Sequence, residues 1–246
     1  MTLNERIGFS FIVRKDWLHL AASLALEKAD SELCSNRLEA AVGLRLSGVK
    51  SKKNTITIIN RIWLTPSKWY IDFRNRGLVL FANANESEKV ALHWAMSSLA
   101  FTFFYDCVTI LGRLSNLQDQ LKTAQVLRRV RERWGDKPKT EKSLSAVVAS
   151  IIDWGLLERI GRSGSFRRCK PLPLDNNISL FLVEALAIAS GGRSWPLRDM
   201  LTHPSLFPFT IDLPVNKITS SEVMDLQHSG SNEPVLLLKD KYIKQS

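Results

Sequence analysis

The side chains in this sequence that could do chemistry are, above all, cations. Between Arg113 and Lys170 there are fourteen Lys and Arg against six Asp and Glu, which is +8 of the +10 formal net charge carried by all 246 residues. Eleven of the fourteen fall into three groups. Arg128, Arg129, Arg131 and Arg133 share a run with Leu127, Val130 and Trp134; Lys137, Lys139 and Lys142 follow a Gly/Pro break; Arg162, Arg167, Arg168 and Lys170 lie in a segment punctuated by Gly and Ser. Guanidinium and ammonium groups only donate, and they pair best with phosphate or carboxylate oxygens. A pI near 9.7 therefore points to an anionic partner: nucleic acid, an acidic membrane surface or an acidic protein. The plain alternative for an arginine run is a solvated helix face.

Other chemistries have no foothold in the spacing. The four histidines, His19, His93, His203 and His228, are dispersed, and none forms HExxH or a Cys/His cluster. Cys34, Cys107 and Cys169 are far apart and odd in number, so no disulfide framework is expected and a reducing compartment is the natural home. There is no GxxxxGK[ST] loop, GxSxG elbow or CxxC. Asp153, beside Trp154, is read as holding the corner where a helix gives way to a hairpin. No catalytic residue, metal or cofactor is expected.

Three elements must position the cations. Leu121, Ala124, Leu127, Val130 and Trp134 recur at helical spacing, predicting a helix over 118–134 with its arginines facing outward. After Gly135 and Pro138, with Thr140 as cap, Leu144, Val147, Val148, Ile151, Ile152 and Leu156 define a second amphipathic helix. Its outward set is Lys142, Ser145, Ala146, Ala149 and Ser150, mostly small, as suits close approach to another surface. Lys137, Lys139 and Lys142 crowd its N-terminal end against the helix dipole, a conflict that an anion would relieve. LLERI, a glycine-rich turn and FRRCKPL then read as a β-hairpin. Helix, turn, helix and basic hairpin is the order of a winged helix-turn-helix, in which the second helix enters the major groove and the wing grips the flanking backbone. On that reading double-stranded DNA is met by Arg128, Arg129, Lys137, Lys139, Lys142, Ser145, Ala149, Arg162, Arg167, Arg168 and Lys170.

The rest of the chain predicts a mainly α fold in three parts: a helical bundle over 1–114, the winged helix-turn-helix over 115–172, and a small mixed α+β region over 173–246. Asp16 and Asp30 or Ser31 suit the caps of the first two helices, and 51–64 reads as helix or strand because its Thr and Ile are β-branched. Val90 to Gly112 is long enough to span a bilayer, but His93 and Asp106 interrupt it, so a buried helix or helix pair is expected, with no membrane partner. The N-terminus lacks the layout of a signal peptide, which suggests a cytoplasmic protein. In the tail, Asn177 suits the cap of a helix through ISLFLVEALAIAS, Ser194 the cap of a short one, SSEVMDLQHSG a last helix and EPVLLLKD a strand.

Ser51, Thr55, Arg61 and Pro66 in SKKNTITIINRIWLTP, with Asp153, Gly155, Leu156 and Leu157 in AVVASIIDWGLLER, resemble the BrxA family of bacterial BREX phage-defence systems over roughly residues 40–160. The resemblance implies a mostly helical, non-enzymatic DNA-binding protein built from a helical bundle and a winged helix-turn-helix, working beside other defence-system proteins. It does not extend to the wing or the tail. A stand-alone transcriptional regulator and a scaffold that grips protein through its winged helix are the other readings of the same pattern.

Overall fold

A computed structural model describes residues 7–161, 164–214, 218, 220–227 and 233–243. The bundle is built outward from one helix. Asn85 and Glu88 form a reciprocal cap, each side chain accepting from the other's backbone N–H at 3.1 and 2.8 Å, and this starts α5 (Glu86–Ala100). Every residue from Val90 to Ala100 is buried, so α5 has no polar face and must be covered all round. Phe101, extended at φ −138°, breaks the apolar run and turns the chain into α6 (Thr102–Ser115). The segment read as a possible span is thus a helix pair, and no helix among the described residues is long and apolar enough to cross a membrane.

Against this pair pack α1 (Lys15–Leu26), α4 (Ile71–Asn83) and α9 (Asn176–Ser190), while α2 (Ser31–Gly43) and α3 (Val49–Ile59) pack on α1. The ambiguous 51–64 stretch is helical: α3 runs into one π turn at Asn60–Leu64, which brings Ile62 and Trp63 to full burial. Asp30 caps α2 as expected, whereas α1 begins at Lys15, with Asp16 in its first turn and not at its cap. Asp175, not Asn177, caps α9 by accepting from Ile178 N at 2.8 Å. Phe73 of α4 stacks on Phe181 of α9 at 4.3 Å between centroids. One hydrophobic core continues from Phe9 through these helices to Leu238.

Between α6 and α9 the chain forms β1 (Gln120–Lys122), α7 (Thr123–Trp134), α8 (Pro138–Asp153), β2 (Leu157–Ile160) and β3 (Ser165–Arg168). The three strands make one antiparallel sheet in the order β1-β3-β2. Leu121, read as helical, is instead the buried centre of β1, so the helix begins at Thr123. Beyond, β4 (Leu172–Pro173) pairs with β6 (Phe209–Thr210), and β5 (Ser194–Pro196) leads into α10 (Leu197–Leu201). The stretch expected as a last helix is a strand, β7 (Met224–Gln227), paired with the anticipated β8 (Val235–Leu238). Ser221 Oγ accepts from Val223 N and Met224 N, capping a turn where the sequence suggested a helix start.

Inside the bundle Trp63 Nε1 donates to His93 Nδ1 at 3.0 Å, so neutral His93 carries its proton on Nε2 and donates to His19 Nδ1 at 2.7 Å. His19 then donates from Nε2 to Glu86 at 3.2 Å, near the surface. Burial, reinforced by His19, Lys15 and Lys89, holds the fully buried His93 well below the ordinary 6.5. The folded state keeps this ring neutral while the unfolded chain protonates it below about pH 6.5. Its contribution is therefore complete above that pH and is lost as pH falls, with a slope approaching about 1.4 kcal/mol per pH unit. Urea unfolding between pH 8 and 5 should show this loss, and His93→Gln, which keeps an acceptor for Trp63, should reduce the slope by one proton. An unchanged slope in that variant would assign the pH dependence elsewhere.

Candidate nucleic-acid interface

Pro138 at the first position of α8 has no N–H to leave unsatisfied, so the helix starts there, with Lys137 preceding it. Thr140, expected as the cap, instead donates its hydroxyl to Gly135 O at 3.0 Å. Lys139, Lys142 and Ser145 are exposed on α8, and Ala149 is half-buried one turn further on. Ala146 and Ser150, read as outward-facing, are buried. The cause is the segment before α1, which runs beside α8. Val13 N donates to Ser150 Oγ at 2.9 Å, Trp154 Nε1 donates to Val13 O at 2.9 Å, and Lys142 Nζ lies 5.0 Å from the Phe11 ring centre. Asp153 takes Arg14 Nη1 at 2.6 Å and Lys15 N at 2.8 Å. It therefore anchors the first turn of α1 and does not hold the hairpin corner.

The register of the sheet decides where the wing cations go. Gln120, Arg167 and Glu158 lie in one row across the strands, and Leu121, Phe166 and Arg159 in the next. Adjacent strand residues face opposite sides. Arg167 therefore points outward and is paired with Glu158 at 2.5 Å, while Arg168 lies on the other face and donates to Phe207 O at 3.2 Å. The two arginines expected to act together are separated, and Arg168 is committed to the tail. Arg162 lies outside the described residues; Gly161 and Gly164 flank that tip at φ 60° and 66°. Lys170 is exposed beyond β3.

Most of the arginine run is engaged locally. Arg129 pairs with Glu132 at 3.1 Å, Arg131 with Asp136 and Glu141 at 2.9 and 3.0 Å, and Arg133 with Asp106 at 2.6 Å. Asp106, almost fully buried, also accepts from Trp134 Nε1 at 2.9 Å, which ties α7 to α6. Arg128 is exposed and makes no ion pair among the described residues. Arg129 and Arg133 also line a polar cleft with Tyr105 and His203, whose rings stack 8° from parallel. Burial pushes the Tyr105 hydroxyl up to about 12 and lowers His203, helped by Arg113, so both are neutral near pH 7. Among the described residues no group of three or more His, Cys, Asp or Glu could hold a metal ion.

The structure adds cations that the sequence reading passed over. Arg159 of β2 comes to the side of α8, and Arg45 joins it from the turn after α2. A signal for Arg45 was present: between Glu39 and Asp72 there is no acid, only Arg45, Lys50, Lys52, Lys53, Arg61 and Lys68. No family model matches the chain, and neither does any curated protein or solved structure.

Proposed function

We propose that this chain is a non-enzymatic protein that binds double-stranded DNA through a winged helix-turn-helix made of α6, β1, α7, α8, β2 and β3, as a component of a bacterial phage-defence system of the BREX kind. The observation that carries the reading is the exposed face of α8, where Lys139, Lys142 and Ser145 reach solvent while Glu141 is turned back onto Arg131. A helix followed by a strand, two helices and a hairpin, with sheet order β1-β3-β2, is the arrangement that delivers such a face to a major groove with a strand pair alongside it. Arg128, Lys137 and Lys170, none in an ion pair among the described residues, are the flanking phosphate contacts, and the resemblance to BrxA at Ser51–Pro66 and Asp153–Leu157 supports the defence setting.

Phosphate neutralisation gives the test a number. Each contact contributes about −0.9 to the slope of log K against log salt on duplex DNA. Replacing Lys137, Lys139 and Lys142 with Ala should flatten that slope by roughly two to three units and weaken binding alike on all sequences, because phosphate contacts position and do not specify. Arg168→Ala should leave the slope as it is, since its guanidinium is spent on the Phe207 carbonyl. An unaltered slope in the triple variant would move the assignment to a protein-binding scaffold.

A further inference from the structure

The cleft between the segment at Ser10–Arg14, the α2–α3 corner and α8 holds about 440 Å³. Its lining includes the apolar Phe11, Ile12, Trp17 and Leu46 and the small Ala146 and Ala149 of α8. Arg14, Arg45, Lys142 and Arg159 line it as well, Arg14 over the Trp17 ring at 5.8 Å and Lys142 over the Phe11 ring at 5.0 Å, and no carboxylate among the described residues does. Arg14 is neutralised from behind by Asp153, whereas Arg45, Lys142 and Arg159 make no ion pair among the described residues. Thr55 borders the same cleft, is fully buried, and its hydroxyl finds no hydrogen-bond partner among the described residues. An unpaired buried hydroxyl is costly unless something supplies its partner.

Three cations without ion pairs, aromatic and small apolar side chains and an orphaned hydroxyl lining one cleft fit a ligand that is anionic at one end, and planar with polar edges at the other. We propose that this cleft binds a nucleoside phosphate, the phosphate held by Arg45 and Arg159 and the base lying against Phe11 over Ala146 and Ala149, with Thr55 meeting its polar edge. The same chemistry has two sources, a free nucleotide or an unpaired nucleotide of a DNA strand. The cleft stands on its own lining and does not depend on duplex binding.

Titration calorimetry with each of the four deoxynucleoside monophosphates, the matching nucleosides and inorganic phosphate tests it. A ligand of this size at ordinary efficiency should bind with Kd on the order of tens of µM. At least one monophosphate should bind, with its nucleoside and inorganic phosphate at least tenfold weaker. Arg45→Gln should lower affinity about tenfold. Thr55→Val, which removes only a hydroxyl without a partner, should lower it several-fold with no loss of thermal stability. Comparing a fully paired duplex with one carrying a single unpaired nucleotide separates the sources: tighter binding of the second, abolished by Arg45→Gln, assigns the strand, and equal binding assigns the free nucleotide. No monophosphate binding at millimolar concentration together with no preference for the unpaired nucleotide overturns the proposal, even where the paired duplex binds well. Binding indifferent to both Arg45→Gln and Thr55→Val overturns it equally. A chain that binds a monophosphate but no duplex keeps this proposal and loses the DNA reading.

Discussion

Lys142→Glu combined with Ser145→Glu should weaken duplex binding at least a hundredfold at about 0.1 M salt, a loss of about 2.7 kcal/mol or more. The pair removes one phosphate contact and sets two carboxylates where the DNA backbone must pass, and like charges forced together at an interface cost several kcal/mol. Both residues are exposed and off the buried side of α8, so stability should change by no more than about 0.5 kcal/mol. Net charge falls by three in this variant, which calls for a matched control. Arg198→Glu with Thr202→Glu makes the same change on α10 and its C-cap, in a helix packed on α9 and β5, and should cost far less. Equal losses in the two variants would mean that overall charge, and not the α8 face, governs binding.

The largest effect on stability should come from Arg76. Glu184 lies inside α9 with its side chain 1% exposed, and its carboxylate accepts from Arg76 Nη2 and from Ser221 Oγ at 2.5 Å. Arg76→Met keeps bulk against Phe73 and Phe181 but leaves the buried carboxylate without its counter-charge, and removing one partner of such a pair costs about 3–5 kcal/mol. That is a large share of the roughly 5–15 kcal/mol that holds a domain together. Adding Glu184→Gln removes the stranded charge and should restore at least half of the loss in a denaturant titration. A cost below about 1 kcal/mol for Arg76→Met alone would show that Glu184 is balanced by other groups.

How much of this was legible depended on how local each interaction is. The apolar period of α8, the break before it and the hairpin after it all arise within a few residues, and the sequence displays them. β1 does not announce itself. Gln-Leu-Lys has one apolar residue, all three are good helix formers, and its partner Arg167 lies 47 positions away. The strand at Met224–Gln227 was hidden by Ser220 and Ser221, which resemble a helix cap until the Ser221 hydroxyl is seen spanning a turn and donating to Glu184. The separation of Arg167 from Arg168 was implicit once a strand was drawn through them, because alternation forbids two neighbours on one face. The burial of Ala146 and Ser150 was out of reach, since what covers them lies more than 130 residues earlier.

That last distance has a meaning in time. Val13 and Ser150 are 137 positions apart, and Val13 and Trp154 are 141 apart. At roughly 5–20 residues per second of synthesis, the segment around Val13 waits about 7–28 s before the helix that receives it has been made. Until then Phe9, Phe11 and Val13 have only the bundle helices to rest on, and Arg45 waits in solvent for Arg159. The groove thus closes only when its two ends meet, and a stall in translation before residue 150 would leave a nascent chain with α9 not yet made, α5 without that cover, and the cationic surface still open.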